Sequence, residues 1–265
     1  MGKHSISWIF SMHLMLLALT GNVSAKTISV KPGSSIQDAI YAADRFDSIQ
    51  VEYGIYRPGN IIIERPIYLI GINYPVIDGE TKYENISVKA DSVVVDGFRI
   101  INSGISSLVD YAGIKIYNRK DVTISNNILS DCFFGIYTQN GLRCRIINNK
   151  ITANKTEEQQ SGNGIHCWTC DSMQIIGNSI SGHRDGIYFE FVTHSIIWRN
   201  YSSKNLRYGL HFMFSNNDTY AVNRFENNGA GVAVMFSKQV KMFHNWFREN
   251  WGDAAYGVLF KELSD

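Results

Sequence analysis

Hydrophobic and polar positions recur with a fixed period along the second half of the chain. A glycine followed by an aliphatic residue returns at steps of 22, 29, 22, 23, 22 and 26 residues: Gly113-Ile114, Gly135-Ile136, Gly164-Ile165, Gly186-Ile187, Gly209-Leu210, Gly231-Val232 and Gly257-Val258. An asparagine keeps nearly the same steps, 22, 29, 22, 23 and 22: Asn127, Asn149, Asn178, Asn200, Asn223 and Asn245. Two markers that share one period predict a repeat architecture, with insertions at 155–161 and around 250–255.

Each repeat consists of short β-rich stretches separated by Gly, Asn, Asp and Ser, and it lacks the helix-forming half of a leucine-rich repeat. This pattern predicts an all-β fold, a right-handed parallel β-helix of the pectin-lyase-like solenoid type. Each strand would pair with its equivalents one turn above and below, at roughly 4.8 Å. Equivalent positions of successive repeats would then stack into ladders.

The register of these ladders follows from counting forward from each glycine. The first and third positions are mostly apolar and are predicted to face inward: Ile114, Ile136, Ile165, Ile187, Leu210, Val232 and Val258, then Ile116, Thr138, Cys167, Phe189, Phe212, Val234 and Phe260. A second inward strand lies nine and eleven positions after the glycine: Val122 with Ile124, Cys144 with Ile146, Met173 with Ile175, and Val240 with Met242. The asparagine column follows that strand. We interpret it as structural, because asparagine tolerates left-handed turns and can hydrogen-bond along the stack.

The first residues are typical of a secretory signal. Lys3 precedes an apolar run at 6–19, and the small residues 23–25 suggest cleavage after Ala25. A transmembrane anchor is the alternative, although polar residues interrupt the run, and no later segment is predicted to span a bilayer. We therefore expect a signal peptide at 1–25, export, and one β-helix domain at 26–265.

Charge narrows the possible partners. Of 25 Lys and Arg residues, removal of Lys3 leaves 24, against 24 Asp and Glu. The mature chain is thus nearly neutral and has no basic tract, so binding to nucleic acid or to an anionic membrane has no electrostatic support.

A short helix is predicted ahead of the regular coils, within 31–43, with Ser34 or Ser35 as N-cap and Asp38 in its first turn. It would cover the open end of the solenoid core, which is otherwise a pairing hazard. The segments 48–52, 60–63, 67–70 and 92–100 are predicted to form less regular early coils. No comparable cap is visible before Asp265, so we expect C-terminal coils to be missing from this sequence.

The four cysteines allow two interpretations. An even number in an exported protein is compatible with disulfides, and Cys167-Trp-Thr-Cys170 has the spacing of a redox or metal pair. However, Cys144 and Cys167 fall in inward columns, where a thiol acts as a small hydrophobe. We favour core packing, and the pairing among Cys132, Cys144 and Cys170 stays open.

Candidate chemistry lies on the outward positions, two and four after each glycine: Lys115, Tyr137, His166, Tyr188, His211, Ala233 and Leu259, then Tyr117, Gln139, Trp168, Glu190, Met213, Met235 and Lys261. We predict that Met213 and Met235 are ladder neighbours and that His211 joins them on an exposed stripe. Imidazole and thioether groups suit Cu(I) and can release it onward. The alternative is that a further segment or a partner covers the stripe, since Met is a common contact residue.

Two further histidines are weaker candidates, His166 on the same stripe and His244 beside the asparagine column. Met242 belongs to an inward column and is predicted to be core. The run from Gly182 to Phe191 concentrates His183, Arg184, Asp185 and Glu190, which fits a buried ion network as well as it fits catalysis.

Several motifs resemble the NosD family of nitrous oxide reductase maturation proteins: 162–166 (GNGIH), 182–192 (GHRDGIYFEFV), 205–215 (NLRYGLHFMFS), 228–237 (NGAGVAVMFS) and 251–262 (WGDAAYGVLFKE). The resemblance implies a periplasmic β-helix of the carbohydrate-binding and sugar-hydrolase (CASH) type. It also implies work with an ABC transporter (membrane and ATPase subunits) and a copper-chaperone lipoprotein to assemble the copper centres of nitrous oxide reductase during denitrification. The sequence departs from the family at Cys167, where an aliphatic residue is expected, and the family continues beyond the position of Asp265.

We therefore expect an accessory protein without enzymatic turnover, which binds no nucleic acid and does not itself span the membrane. His211, Met213 and Met235 would form a transient Cu(I) relay with His166 and His244 as weaker members, and Trp168, Tyr188 and Glu190 would contribute to partner docking. Two alternatives stay open. One is a polysaccharide lyase, hydrolase or epimerase, which needs a carboxylate pair that Asp185, Glu190 and Asp218 do not obviously form; the other is a non-catalytic docking solenoid.

Overall fold

The computed structural model describes residues 25–106, 108–154, 156–252 and 255–263. In chain order the elements are β1 (Thr27–Val30), α1 (Ile36–Ala42), β2 (Ser48–Val51), β3 (Ile55–Tyr56), β4 (Ile61–Ile63), β5 (Tyr68–Gly71), β6 (Val76–Asp78), β7 (Ile86–Val88), β8 (Val94–Asp96), β9 (Arg99–Ile101), β10 (Ala112–Tyr117), β11 (Thr123–Ser125), β12 (Ile128–Ser130), β13 (Phe134–Gln139), β14 (Arg145–Ile147), β15 (Lys150–Thr152), a 3-10 turn (Glu158–Gln160), β16 (Ile165–Trp168), β17 (Gln174–Ile176), β18 (Ser179–Ser181), β19 (Ile187–Glu190), β20 (Ile196–Trp198), β21 (Tyr201–Ser203), β22 (Tyr208–Met213), β23 (Thr219–Ala221), β24 (Arg224–Glu226), β25 (Ala230–Met235), β26 (Lys241–Phe243), β27 (Trp246–Arg248) and β28 (Val258–Lys261). The predicted signal peptide lies almost wholly outside the described residues.

These strands form three parallel sheets that wrap around one core. Sheet A is ordered β1-β2-β5-β8-β11-β14-β17-β20-β23-β26, sheet B β3-β6-β9-β12-β15-β18-β21-β24-β27, and sheet C β4-β7-β10-β13-β16-β19-β22-β25-β28. A regular coil passes from sheet C to sheet A to sheet B, which makes the fold a parallel β-helix. Crossovers between parallel strands are right-handed in nearly all proteins, and the predicted class, a right-handed parallel β-helix, is confirmed. The sequence pattern had located only two strands in each coil; the third is the sheet B strand after each asparagine.

The predicted register is confirmed in every coil from β10 to β28. The first position after the glycine pairs along the whole row from Ile114 to Val258, and the third from Ile116 to Phe260. Both rows are buried up to β25. The second inward strand is also confirmed, with Ile124, Ile146 and Ile175 in sheet A. Met242 continues that column but is 42% exposed, because it lies in the last described strand of sheet A.

The asparagine ladder is buried and hydrogen-bonded as predicted. The Asn178 side chain shows the repeated pattern: its Oδ1 accepts from the Asn149 backbone N–H at 2.9 Å and from Asn149 Nδ2 at 3.0 Å, while its Nδ2 donates to Ile146 O at 2.8 Å and to Asn200 Oδ1 at 3.0 Å. Each amide therefore ties its own corner to the coil above it.

Helix α1 caps the N-terminal end of the core as expected. The Ser35 hydroxyl accepts from the Asp38 backbone N–H at 3.1 Å, the N-cap contact. Ile36 and Ile40 are buried against the first strands. All four cysteines are buried, which supports the core-packing interpretation.

The repeated glycine marks a bend between sheets B and C. A Cβ atom on Gly186 would lie 2.0 Å from Ser202 Oγ and 2.6 Å from the Gly209 carbonyl oxygen. The chain turns so tightly here that the glycine faces the interior. The residue before the glycine therefore faces outward, beside the residue two positions after it, and this bend shapes the outer surface of sheet C.

Across the described ranges, no helix has the length and apolar character needed to cross a membrane.

Candidate functional site

The predicted thioether pair is present on the outer face of sheet C. Met213 of β22 and Met235 of β25 are direct register partners, so their backbones are roughly 4.8 Å apart. Both side chains are half-buried. His211 lies two residues before Met213 on the same strand and faces the same side, about 6.6 Å along the strand. The structure thus places His211, Met213 and Met235 on the same outer face of sheet C.

The expectation that position two of each coil is solvent-exposed was wrong. His211 is 2% exposed, and Lys115, Tyr137 and His166 are also buried. The cause is the bend at the glycine, because the preceding outward residue folds over position two. The Tyr208 ring lies 4.8 Å from the His211 ring, and the Phe134 ring 5.2 Å from the Tyr137 ring.

Asp185 orients the imidazole of His211. Asp185 Oδ2 lies 3.5 Å from His211 Nδ1, and both side chains are buried. Within the described part of the chain, His211 Nε2 has no hydrogen-bond partner. A carboxylate beside Nδ1 favours the tautomer with the proton on Nδ1 and the lone pair on Nε2, which is the usual arrangement of a metal-binding histidine. The Nε2 atom itself is buried.

The charge of Asp185 is maintained by its neighbours. Burial alone would raise the pKa of this carboxyl, but the contact with His211 and the positive charges of Arg207 and Arg184 hold it below its ordinary value. Arg207 Nε lies 3.8 Å from Asp185 Oδ1. The run 182–191 is thus in part the buried ion network that the sequence allowed, and that network holds a functional candidate in place.

His166 does not join the group. Tyr188 stands between the two histidines in the ladder, with its ring 4.9 Å from the His166 ring and 4.7 Å from the His211 ring. His166 Nδ1 accepts from Asn163 Nδ2 at 3.2 Å, which places the proton on Nε2. Burial, with the positive charge of Arg184, lowers the pKa of His166 to about 3, so the ring stays neutral.

His244 lies elsewhere. It is exposed, at the corner between β26 of sheet A and β27 of sheet B, with a left-handed φ of 49°. The structure therefore separates it from the sheet C surface. The three predicted docking residues, Trp168, Tyr188 and Glu190, lie closer to the sheet C site and are half-buried. Trp168 and Glu190 occupy the same ladder row as Met213, and Tyr188 lies beside that row.

Asp185 and Tyr208 were not assigned to the site from the sequence. Both directly precede a repeated glycine, a position that holds Glu84, Ala112, Phe134, Asn163, Asp185, Tyr208 and Ala230 in successive coils. The signal in the sequence was the mixed composition of this column, which contains charged, polar and aromatic residues as well as alanine. It was missed because strand alternation alone assigns that column to the inside.

The donor atoms select the kind of metal that fits. No group of three or more His, Cys, Asp and Glu side chains with metal-binding geometry occurs among the residues that the structure describes. The unpartnered imidazole nitrogen of His211 and the two neighbouring thioethers fit a soft monovalent ion such as Cu(I).

Comparison with known proteins agrees with the fold. Residues 22–169 match the family described as "Right handed beta helix region", and the chain belongs to this family of parallel β-helix proteins. Residues 147–265, which include His211, Met213 and Met235, match the family described as "Periplasmic copper-binding protein (NosD)". This second half of the chain is therefore similar to NosD proteins.

Two curated relatives are each named "Probable ABC transporter binding protein NosD". The one from Pseudomonas aeruginosa is 27% identical over 130 residues, and the one from Stutzerimonas stutzeri is 26% identical over 130 residues. Each match covers 48% of this chain and 30% of the relative. The chain therefore aligns with less than a third of the relatives' length.

Similar solved structures support the fold. The pectate lyase Pel9A has a TM-score of 0.63 at 15% identity and covers 92% of this chain and 77% of its own. The A-module of the Azotobacter vinelandii mannuronan C-5 epimerase AlgE6 has a TM-score of 0.55 at 14% identity, covering 84% of this chain and 73% of its own. At such identities the likeness concerns the solenoid alone.

Proposed function

We propose that this chain is a periplasmic accessory protein for assembly of the copper centres of nitrous oxide reductase, without enzymatic turnover. His211, Met213 and Met235 hold Cu(I) transiently as cargo, whereas the positions of His166 and His244 leave these two weaker candidates outside the site. An ABC transporter, a copper-chaperone lipoprotein and the reductase are its partners. The names of the relatives support the transporter association, and the matching family's description supports copper and the periplasm.

One observation carries the copper proposal: the register pairing of Met213 with Met235 beside a buried imidazole whose Nε2 has no partner among the described residues. Asp185 fixes the tautomer, so the ligand is oriented before the ion arrives. Two thioethers and one imidazole bind Cu(I) without the strong thiolate bonds that would retain it, and this favours onward transfer.

A titration of Cu(I) into the mature protein, against a chromophoric chelator, tests this proposal. The variants His211→Ala, Met213→Leu and Met235→Leu should each weaken binding, and the triple variant should abolish it. Met242→Leu is the matched control, because Met242 is a partly exposed methionine on sheet A. Equal affinity of the triple variant and the wild type would overturn the site.

Deletion in a denitrifying host tests the role. The reductase should then lack copper, and the wild-type chain should restore its metal content. A fully copper-loaded reductase in the deletion strain would exclude the proposed role.

A second function is favoured by the same pair of residues. An imidazole held by a buried carboxylate, with its other nitrogen unpartnered, also has the arrangement of a general base. Acidic polysaccharides would be the substrates of such a β-helix enzyme. A screen against uronate polymers, with Asp185→Asn as the inactive variant, separates the two functions: turnover that this variant abolishes would favour the enzyme.

A further inference from the structure

Three phenylalanines form a stacked ladder at the corner between sheets C and A. Phe191, Phe214 and Phe236, here called the Phe ladder, follow β19, β22 and β25 directly. Their rings stack at centroid distances of 5.1 Å, with interplanar angles of 7° and 23°. Phe191 is 48% exposed and Phe214 is 41% exposed. The ladder is therefore an apolar ridge on the surface.

The fold itself does not require phenylalanine at this corner. The equivalent residues of earlier coils are Asn118, Asn140 and Thr169, and all six residues have a left-handed φ between 47° and 54°. A bulky side chain disfavours that conformation, whereas asparagine tolerates it well. The phenylalanine rings do not pack into the core, and they expose apolar surface to solvent. Exposed aromatic residues in a conformation that costs free energy indicate an interaction surface.

The Phe ladder adjoins the thioether pair. Met213 directly precedes Phe214, and Met235 directly precedes Phe236. A macromolecule that exchanges an ion with these two methionines has to approach the outer face of sheet C at this edge. Its contact area therefore includes the ladder.

Charge around the ladder is asymmetric. Lys238, Lys241 and Lys261 are exposed near the Phe236 end, where Glu262 is the acidic neighbour. Lys261 is the register partner of Met235, and its Nζ lies 5.4 Å from the Phe236 ring centroid. A complementary surface would carry carboxylates at this end.

We propose that the Phe ladder is the docking surface for the protein that exchanges Cu(I) with Met213 and Met235, and that this partner has an apolar contact face edged with carboxylates. The inference rests on the proposed function. A protein partner fits the Phe ladder better than a lipid surface does. The faces of the rings stack on one another, so that only the ring edges, in one short row, are presented to a partner. Aromatic residues that become buried when a partner binds contribute much of the binding energy at protein interfaces.

The decisive variant replaces all three phenylalanines by asparagine, the residue that two of the three earlier coils carry at the same corner. It is expected to fold, because asparagine suits the left-handed backbone. Cu(I) affinity should be unchanged, whereas copper loading of the reductase in a deletion host complemented with this variant should fall about tenfold. Phe46→Asn is the matched control, because Phe46 is 41% exposed with a φ of 67° at the opposite end of the solenoid.

The outcomes separate the two proposals. If wild-type protein binds no Cu(I) or restores no reductase copper, the proposed function fails, and the docking proposal fails with it. If wild type restores loading and the triple variant restores it equally, the docking proposal alone is wrong. It is also wrong if the triple variant loses Cu(I) affinity, if anionic vesicles bind wild type but not the variant, or if the ladder proves to be a self-association surface by sedimentation.

Discussion

Asp185 Oδ2 lies 3.5 Å from His211 Nδ1 although 26 residues separate the two in sequence. The contact exists because successive coils stack in phase, so that the residue before one glycine meets the residue two positions after the next. Asp185 keeps its charge in this buried setting, and the imidazole is held with Nε2 unpartnered in the described structure. A repeat that serves folding thereby also preorganises a ligand.

Replacement of Asp185 by Asn tests that preorganisation. The amide can no longer hold the proton on His211 Nδ1 as a carboxylate does, so we expect Cu(I) affinity to fall about 10- to 100-fold. Asp171→Asn is the control, because Asp171 makes a similar contact of 2.8 Å with His194 on a solvent-exposed corner. Competition with a Cu(I) chelator measures both variants. Equal losses in the two would mean that the effect is not specific to His211.

The asparagine ladder should dominate local stability. Asn178→Ala removes the acceptor of the buried Asn149 backbone N–H and the donor to Ile146 O, which should cost about 2–3 kcal/mol. Asn245→Ala, at the half-buried end of the ladder, should cost less than about 1 kcal/mol, since water can replace the lost bonds. Urea unfolding measures both. Similar losses at the two positions would contradict a burial-dependent ladder.

The four cysteine thiols should not react with thiol reagents in the native protein. All of them are buried, and burial raises the pKa of Cys144 to about 11, which leaves little reactive thiolate at neutral pH. A thiol reagent should label none of the four in native protein and all of them in guanidinium. Labelling of fewer than four after denaturation without reductant would reveal a disulfide and contradict the core-packing interpretation.

Much of the solenoid could be predicted because its ladders repeat. The glycine and asparagine columns gave the coil period, the inward rows and the pairing of Met213 with Met235. What failed was the exposure of His211. Strand alternation describes a straight strand, whereas the chain bends at each repeated glycine and brings residues such as Tyr208 over the outward face. Covering of this kind depends on tertiary geometry that no periodicity encodes.

The Phe ladder was also missed, for a different reason. Corner residues between strands read as turns, and turns are expected to be polar. Phe214 does not fit that expectation. The signal in the sequence was the change from polar to aromatic residues within this corner column. Asp218 is a similar deviation, since its column is otherwise mostly apolar: Val122, Cys144, Met173, Ser195 and Val240.

Asp218 predicts a specific pH dependence of stability. Its Oδ1 accepts from the Ser195 backbone N–H at 2.8 Å, but Oδ2 has no partner among the described residues, and burial raises the pKa of this carboxyl to about 8. The folded protein therefore keeps a proton that the unfolded chain loses near pH 4. The stabilising contribution of the protonated group is fully present below that value and is lost as pH rises towards 8.

Asp218→Asn removes this titration while it retains an acceptor for Ser195. Relative to wild type, the variant should gain stability steadily between pH 4.5 and pH 8, by about 1–3 kcal/mol at the upper end. Urea unfolding of both proteins across this range measures the difference, and comparison of the two cancels groups that titrate in both. A difference that stays constant with pH, or that shrinks as pH rises, would show that Asp218 is ionised in the folded protein and that an additional buried partner holds its second oxygen.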